Sequence, residues 1–257
     1  MSEHLLVERE QGLLCLRMNR PDKKNALTRA MYSGMAEVLR QADQDRSVRA
    51  VLISGSEQCF TSGNDVSDFI QAPPSGLGSE VFQFMLALFE FSKPVVAAVS
   101  GPAVGIGTTM LLHCDLVYVS RSATLKMPFV NLGLCPEYGS SLILPRLLGH
   151  ARAAELLLLG ESFTGEQAAS WGIANQALDD GAATLAKARE MALRFQQLAP
   201  AAVADSKRLM RAPGREELRR VMEEEGALFG QRLRSPEAIE ALSAFMQRRT
   251  PDFSKFA

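Results

Sequence analysis

The sequence predicts an α/β fold that gives way to an all-helical C-terminal part. Three observations predict it. Residues 50–54, 94–99 and 116–119 are continuous apolar runs, as strands buried on both faces of a parallel sheet should be. Helical stretches of about ten residues separate these runs, the alternation expected of parallel strands joined by crossovers. From about Glu137 onward the strand signals stop and apolar residues recur at helical intervals.

In chain order, residues 13–19 read as a short apolar-rich strand. Residues 20–25, Arg-Pro-Asp-Lys-Lys-Asn, form a turn signal, because Pro, Asp and Asn each favour non-helical backbone. Residues 28–41 then carry Met31, Met35, Val38 and Leu39 at helical spacing. Residues 71–78 hold two Pro and two Gly and read as a loop beside a site. Residues 81–91 are apolar nearly all round, which suits a core helix or the lining of a long apolar ligand. Residues 151–159, 164–171, 182–197, 201–211, 216–230 and 236–249 read as helices. Arg and Glu interleave from 215 to 249, as on solvated helix faces or subunit contacts. These signals divide the chain into a core over residues 1–200 and a helical assembly region over residues 201–257.

Composition excludes several function classes. The 257 residues carry 28 basic and 29 acidic side chains, a formal net charge of −1. That balance argues against a nucleic-acid binder, which needs a concentrated basic surface. Cys15, Cys59, Cys114 and Cys135 form no Cys-x-x-Cys pair, so zinc-ribbon and thioredoxin-type sites fall, and the thiols are expected to be reduced and mostly buried. His4, His113 and His150 have no carboxylate at ligand spacing, so no metal site is expected. The first ten residues lack the pattern of a secretory signal, the last three are not a peroxisomal address, and no apolar run nears the ~20 residues that span a bilayer. The expectation is a cytoplasmic protein with no membrane partner.

Three segments carry candidate chemistry. Gly101-Pro-Ala-Val-Gly105-Ile-Gly107 follows a strand and opens a helix. It lacks the Lys of a phosphate-binding loop and the third Gly of a dinucleotide fingerprint, where Met110 stands. It reads either as close strand–helix packing or as a site whose free N–H groups face developing negative charge. Residues 59–66, Cys-Phe-Thr-Ser-Gly-Asn-Asp-Val, read as a turn with a helix cap that also leaves an N–H free. Two converging N–H groups are what a developing oxyanion requires. Residues 135–141, Cys-Pro-Glu-Tyr-Gly-Ser-Ser, look like an ordinary helix start with Pro136 in the first turn. Glu137 there is flanked by apolar and small residues; burial would raise its pKa, against the effect of a helix terminus, and suit it to take and return a proton.

Taken in order, four segments resemble the crotonase (enoyl-CoA hydratase/isomerase) superfamily over nearly the whole chain: residues 19–27, residues 60–65, residues 93–107, and Cys114-Asp115 with the strand after it. The resemblance implies a spiral of ββα turns with a helical C-terminal region that builds trimers or hexamers. It implies an acyl-CoA thioester as substrate, with coenzyme A entering as part of that substrate and no further cofactor. The thioester oxygen would lie between the backbone N–H groups of Asn64 and Ile106. Contacts to the acyl-CoA would come from Lys23, Lys24, Ala26, Ser62, Gly63, Asp65, Val66 and Gly105, with Ser62 by the adenine and Lys23 or Lys24 by the phosphates. The tail over residues 249–256 is also similar to the family's C-terminus, where a Phe or Lys can touch CoA.

The two glutamates of the family's hydratases would fall at Thr109 and Phe129, neither of them a carboxylate. Glu137 instead looks like the single glutamate of the peroxisomal-type Δ3,Δ2-enoyl-CoA isomerases, as do Ser62-Gly-Asn-Asp65 and Met127-Pro-Phe129. The resemblance therefore implies an isomerase that moves the double bond of a 3-enoyl-CoA into conjugation through a dienolate, with Glu137 as proton shuttle. A hydratase or another reaction of the superfamily, and a non-catalytic acyl-CoA-binding protein, are the alternatives.

Overall fold

The computed structural model describes residues 2–71, 73 and 76–256. Among the described residues, nine strands form two sheets. The larger runs β1 (Leu5–Glu10), β2 (Leu13–Met18), β3 (Ala50–Ser54), β4 (Val95–Val99), β6 (Leu116–Ser120), β9 (Gln176–Leu178), parallel except for the β1–β2 hairpin. The smaller holds β5 (Pro102–Val104), β7 (Thr124–Lys126) and β8 (Ser162–Thr164), and its first edge is extended by a bridge from Thr61 to Ala103. The helices are α1 (Arg29–Gln44), α2 (Val66–Gln71), α3 (Glu80–Glu90), α4 (Ile106–Thr109), α5 (Ser140–Leu148), α6 (His150–Ala154), α7 (Gly165–Ser170), α8 (Gly181–Arg194), α9 (Pro200–Arg211), α10 (Arg215–Arg232) and α11 (Pro236–Met246).

Each turn of the chain lays one strand in the large sheet, crosses to the small sheet, and returns through a helix. β3 leads to Thr61, β4 to β5 and α4, and β6 to β7, so equivalent segments of successive turns pair in parallel. This is the expected spiral. The apolar runs are continuous because both faces of the large sheet are covered. Leu14, Leu16, Val51, Ile53, Val95, Ala97, Val117 and Val119 face the core under α1 and α3. Leu13, Leu52, Val96, Ala98 and Tyr118 face α8 through its Ala188 and Ala192. Thr28 caps α1 by accepting from the Met31 N–H.

Several expectations need correction. Strand structure does not stop near Glu137: β8 and β9 lie beyond it, and β9 extends the large sheet. Three residues are too few to show a period of two, so neither these strands nor β5 and β7 announced themselves. The segment around Pro136 does not open a helix. Tyr138 (φ 57°) and Gly139 (φ 73°) are both left-handed, and α5 begins only at Ser140. The helix expected over residues 151–159 widens into a π turn at Glu155–Leu159. Of the cysteines only Cys59 is buried; the other three are half-buried. Of the 71–78 segment, residues 72, 74 and 75 lie outside the described residues.

The C-terminal helices pack on the core. Asp115, at the start of β6, accepts from the Val95 N–H at 2.8 Å, from Lys207 Nζ at 2.7 Å and from Arg211 Nη2 at 3.0 Å. Lys207 is buried, also donates to the Lys93 carbonyl, and has its pKa lowered to about 8 by desolvation despite Asp115. Among the described residues, no helix is long and apolar enough to cross a membrane. Removing one partner of a buried pair leaves an uncompensated charge. Asp115→Ala is therefore expected to lower the unfolding free energy by about 3–5 kcal/mol in urea denaturation. A loss of under about 1 kcal/mol would match an exposed pair instead.

Candidate active site

Two backbone turns are sewn together at the centre of the spiral. The N–H groups of Phe60 and Thr61 both donate to the Pro102 carbonyl, at 3.1 and 3.0 Å, and the Val104 N–H donates to the Thr61 carbonyl at 3.1 Å. A Cβ on Gly63 (φ 90°) would stand 2.9 Å from the Val104 carbonyl oxygen, so only glycine allows the approach. Gly107 is likewise a packing glycine, because a Cβ there would meet Thr61 at 2.5 Å. Gly105 differs: a Cβ would meet nothing within 4 Å, but its backbone (φ 56°, ψ −119°) is one that L side chains rarely adopt. The glycine-rich segment is thus closely packed at Gly107 and sharply turned at Gly105. Gly105 turns the chain so that Ile106 opens α4. Among the described residues, neither the Asn64 N–H nor the Ile106 N–H has an intramolecular acceptor. Asn64 is steadied by the buried Tyr32, whose hydroxyl donates to Asn64 Oδ1.

A second network docks the 20–26 turn onto this pair. Lys24 (φ 50°) and Asn25 (φ 55°) are left-handed. The buried Asn25 side chain donates to the carbonyls of Cys59 and Phe60, at 2.9 and 3.1 Å. Arg20 pairs with Asp65 at 2.6 Å and donates to the Ala26 carbonyl at 3.1 Å. Asp65 is thus engaged within the protein, and its other oxygen accepts from the Asp68 N–H of α2, the helix that Val66 opens. The Ser62 N–H donates to the Lys24 carbonyl at 2.9 Å. Lys23 and Lys24 stand exposed beside it. The tail lies elsewhere in its bonding: Lys255 and Arg249 both reach Glu240 of α11.

Glu137 is buried, with 5% of its surface exposed. Its carbonyl accepts from the Ser140 N–H and hydroxyl, at 3.1 and 2.6 Å. Its Oε1 accepts from the Thr109 hydroxyl at 3.2 Å. Burial pushes its carboxyl up from 4.5 to about 8; the Thr109 bond opposes this and the nearby Glu225 adds to it. The strained Tyr138 is pinned at both ends. Its hydroxyl donates to the Met85 carbonyl at 2.8 Å, and its carbonyl accepts from His113 Nε2 at 2.7 Å while the two rings stack at 3.7 Å. Burial holds His113 down at about 3, so the imidazole is neutral and carries its proton on Nε2.

Glu137 opens onto a cavity of about 250 Å³. Phe69, Val81, Phe82 and Met85 line it from α2 and α3, and Met222, Gly226 and Phe229 from α10. Among the described residues, its lining contains no lysine or arginine. The 81–91 helix is therefore both core and pocket wall, and Gly76 and Leu77 of the 71–78 segment reach the same cavity. The sequence reading missed Tyr32, Glu225 and the whole α10 wall. The apolar face of α10 was masked by its many Arg and Glu residues, and a single helix does not reveal what its Met222 and Phe229 cover. Thr109 and Phe129 had been singled out only as positions lacking a carboxylate; one bonds Glu137, and the other packs edge-on against Phe229 at 6.4 Å. Among the described residues the arrangement offers two free N–H donors, the desolvated carboxyl of Glu137 and an apolar cavity, which suits proton transfer at carbon beside a carbonyl.

Comparisons with known proteins find relatives over nearly the whole chain. The family model described as enoyl-CoA hydratase/isomerase matches residues 8–255. Enoyl-CoA delta isomerase 2 of Homo sapiens is 35% identical over 256 residues, which covers 96% of this chain and 64% of that protein. The chain thus spans just under two thirds of that relative's length. The 1,2-epoxyphenylacetyl-CoA isomerase of Escherichia coli K12 is 35% identical over 262 residues, covering 99% of each. Among solved structures, that of Pseudomonas aeruginosa OdaA is 69% identical with a TM-score of 0.95, covering 96% of this chain and all of that one.

The raised carboxyl has a consequence for stability. Between about pH 4.5 and 8 the folded state keeps a proton on Glu137 that the unfolded chain has released. Folding then binds a proton, so this group's contribution to stability falls as pH rises across that window. Glu137→Gln is expected to flatten the pH dependence of the urea midpoint there. An unchanged slope would contradict a buried, raised carboxyl.

Proposed function

The chain belongs to the enoyl-CoA hydratase/isomerase family, and on that premise we propose that it is a Δ3,Δ2-enoyl-CoA isomerase. The observation that carries this reading is the buried carboxyl of Glu137, which opens on an apolar cavity, while Thr109 and Phe129 stand where the hydratases of the family would carry their two glutamates. Hydration needs groups that both activate a water and protonate carbon. Isomerisation needs one group that takes a proton and returns it two carbons away.

The thioester oxygen of a 3-enoyl-CoA lies against the Asn64 and Ile106 N–H groups. The Glu137 carboxylate removes a proton from the α carbon, and the electron pair spreads over a dienolate. The two N–H groups hold the charge that develops on oxygen; each such donor is worth roughly 10²–10³ in rate. Glu137 then delivers the proton to the γ carbon, the double bond moves into conjugation, and the carboxylate is regenerated. A carboxyl raised to about 8 suits both halves, because it is a stronger base than an ordinary glutamate and still ionises near neutral pH. The exposed Lys23 and Lys24 support a role beside the CoA phosphates, with the Ser62 backbone by the adenine. The exposed Leu209, Met210, Ile239, Phe245 and Met246 support assembly into a trimer or hexamer through α9 and α11.

Glu137→Gln is expected to cut kcat on 3-enoyl-CoA by about 10²–10⁴ while acyl-CoA binding persists. Full activity would overturn the assignment, and so would tight binding with no turnover in the unaltered protein. With the unaltered protein, kcat/KM should climb with pH to a plateau above about pH 8, because the base acts only when ionised. The acyl chain lies in the cavity of about 250 Å³. A Cβ at Gly226 would stand 3.3 Å from the Phe82 ring at its wall. Gly226→Leu should therefore depress kcat/KM for long-chain substrates at least about tenfold relative to short-chain ones. An unchanged chain-length profile would place the acyl group outside this cavity.

A further inference from the structure

The N-terminus of α5 lies three residues beyond Glu137. A helix start carries about half a positive charge and several N–H groups without helical partners. Left open, it would draw negative charge onto a nearby carboxyl and make the carboxylate a weaker base. It is not open. Glu225, from α10, accepts from the Gly139 N–H at 2.5 Å, from the Ser141 N–H at 3.0 Å and from the Ser141 hydroxyl at 2.5 Å. Glu225 is buried, with 8% of its surface exposed.

We propose that Glu225 is a positioning residue for the reaction at Glu137: it occupies the start of α5, takes that helix's positive end onto itself, and so leaves Glu137 a strong base. This rests on Glu137 being the proton shuttle. The other groups near Glu137 do not replace it. They are the Tyr32 phenol from α1, the Thr109 hydroxyl from α4, Cys135 and Tyr138 from its own loop, and Glu223 from α10 at the cavity wall. None of these is a cation, and Glu223 is paired with Arg219 at 3.3 Å. Desolvation raises Glu137 and the Glu225 charge adds to the effect. Desolvation raises Glu225 as well, and its three donors offset part of that rise.

The same helix that supplies Glu225 also supplies Met222, Gly226 and Phe229 to the cavity. The surroundings that make Glu137 basic are therefore complete only with α10 docked. A residue that merely capped α5 would, when removed, lower stability and rate at every pH. A residue that masks the helix field would, when neutralised, also move the pH at which Glu137 ionises.

Two variants separate these roles. Glu225→Gln keeps the shape and an acceptor for Ser141 but loses the charge; Glu225→Asp keeps the charge. In Glu225→Gln, the acid limb of kcat/KM is expected to move down by roughly one pH unit, and the alkaline plateau to fall several-fold, because a weaker base removes the α proton more slowly. In Glu225→Asp the limb should stay with the unaltered protein. Infrared titration of the Glu137 carboxyl in the protein without substrate, identified by the band that Glu137→Gln loses, should show the same downward shift in Glu225→Gln. Coincident infrared titrations of the folded Glu225→Gln and unaltered proteins would overturn the proposal whatever the activity does. If Glu225→Gln does not fold, a limb displaced in Glu225→Asp overturns it. Full isomerisation by Glu137→Gln would overturn the proposed function instead, and leaves the infrared comparison standing.

Discussion

Everything at the site depends on one desolvated carboxyl. An ordinary surface glutamate is ionised at neutral pH and is a poor base toward a carbon acid. Glu137 is raised to about 8 because water is excluded from it, and the protein supplies a single hydroxyl, that of Thr109, rather than a cation to compensate. Burying an unpaired ionisable group is unfavourable, and the surrounding structure has to hold it there. Tyr138, left-handed and strained, is fastened to the Met85 carbonyl and to His113, and that fastening keeps the loop from turning Glu137 out to solvent.

The spiral answers a different demand, the placement of two unpaired N–H groups. Backbone donors inside a protein are almost always satisfied, so two that are left free need a fold that aims them deliberately. The pairing of Thr61 with Ala103 brings successive turns of the spiral into register. Gly63 and Gly107 allow the backbones to close to contact, and Gly105 supplies the reversal that sets Ile106 at the head of α4. Asn25, with two bonds to the Cys59 and Phe60 carbonyls, and Arg20, paired with Asp65, then join the 20–26 turn to the same frame. The exposed Lys23 and Lys24 of that turn are thereby joined to the frame that carries the two N–H groups.

The C-terminal helices close the site from the far side. Asp115 gathers Lys207 and Arg211 and so fastens α9 to the N-terminal ends of β4 and β6. α10 follows and covers the cavity with Met222, Gly226 and Phe229, while Glu225 reaches the start of α5. The stretch that reads in sequence as a solvated, charge-laced helix does carry such a face, with Arg219–Glu223 and Arg220–Glu224 pairs one turn apart. Its opposite face belongs to the site.

Local sequence determined what local chemistry can express. The apolar runs that became β3, β4 and β6, the turn over residues 20–25, the helix beginning near Thr28, and the glycine-rich entry to α4 were legible because each is encoded within a few neighbouring residues. The candidate carboxyl was legible too, from the apolar and small residues flanking Glu137. Three-residue strands were not, because β5, β7, β8 and β9 are strands only by virtue of the partners beside them. Nor was the start of α5, where the two left-handed residues that delay the helix are held by His113 and Met85, far away in the chain. Tertiary structure alone decided how deeply Glu137 is buried, which hydroxyl it meets, and that Glu225 lies beside it. Desolvation and electric field depend on distances in space, and the spiral brings together residues that the chain keeps apart.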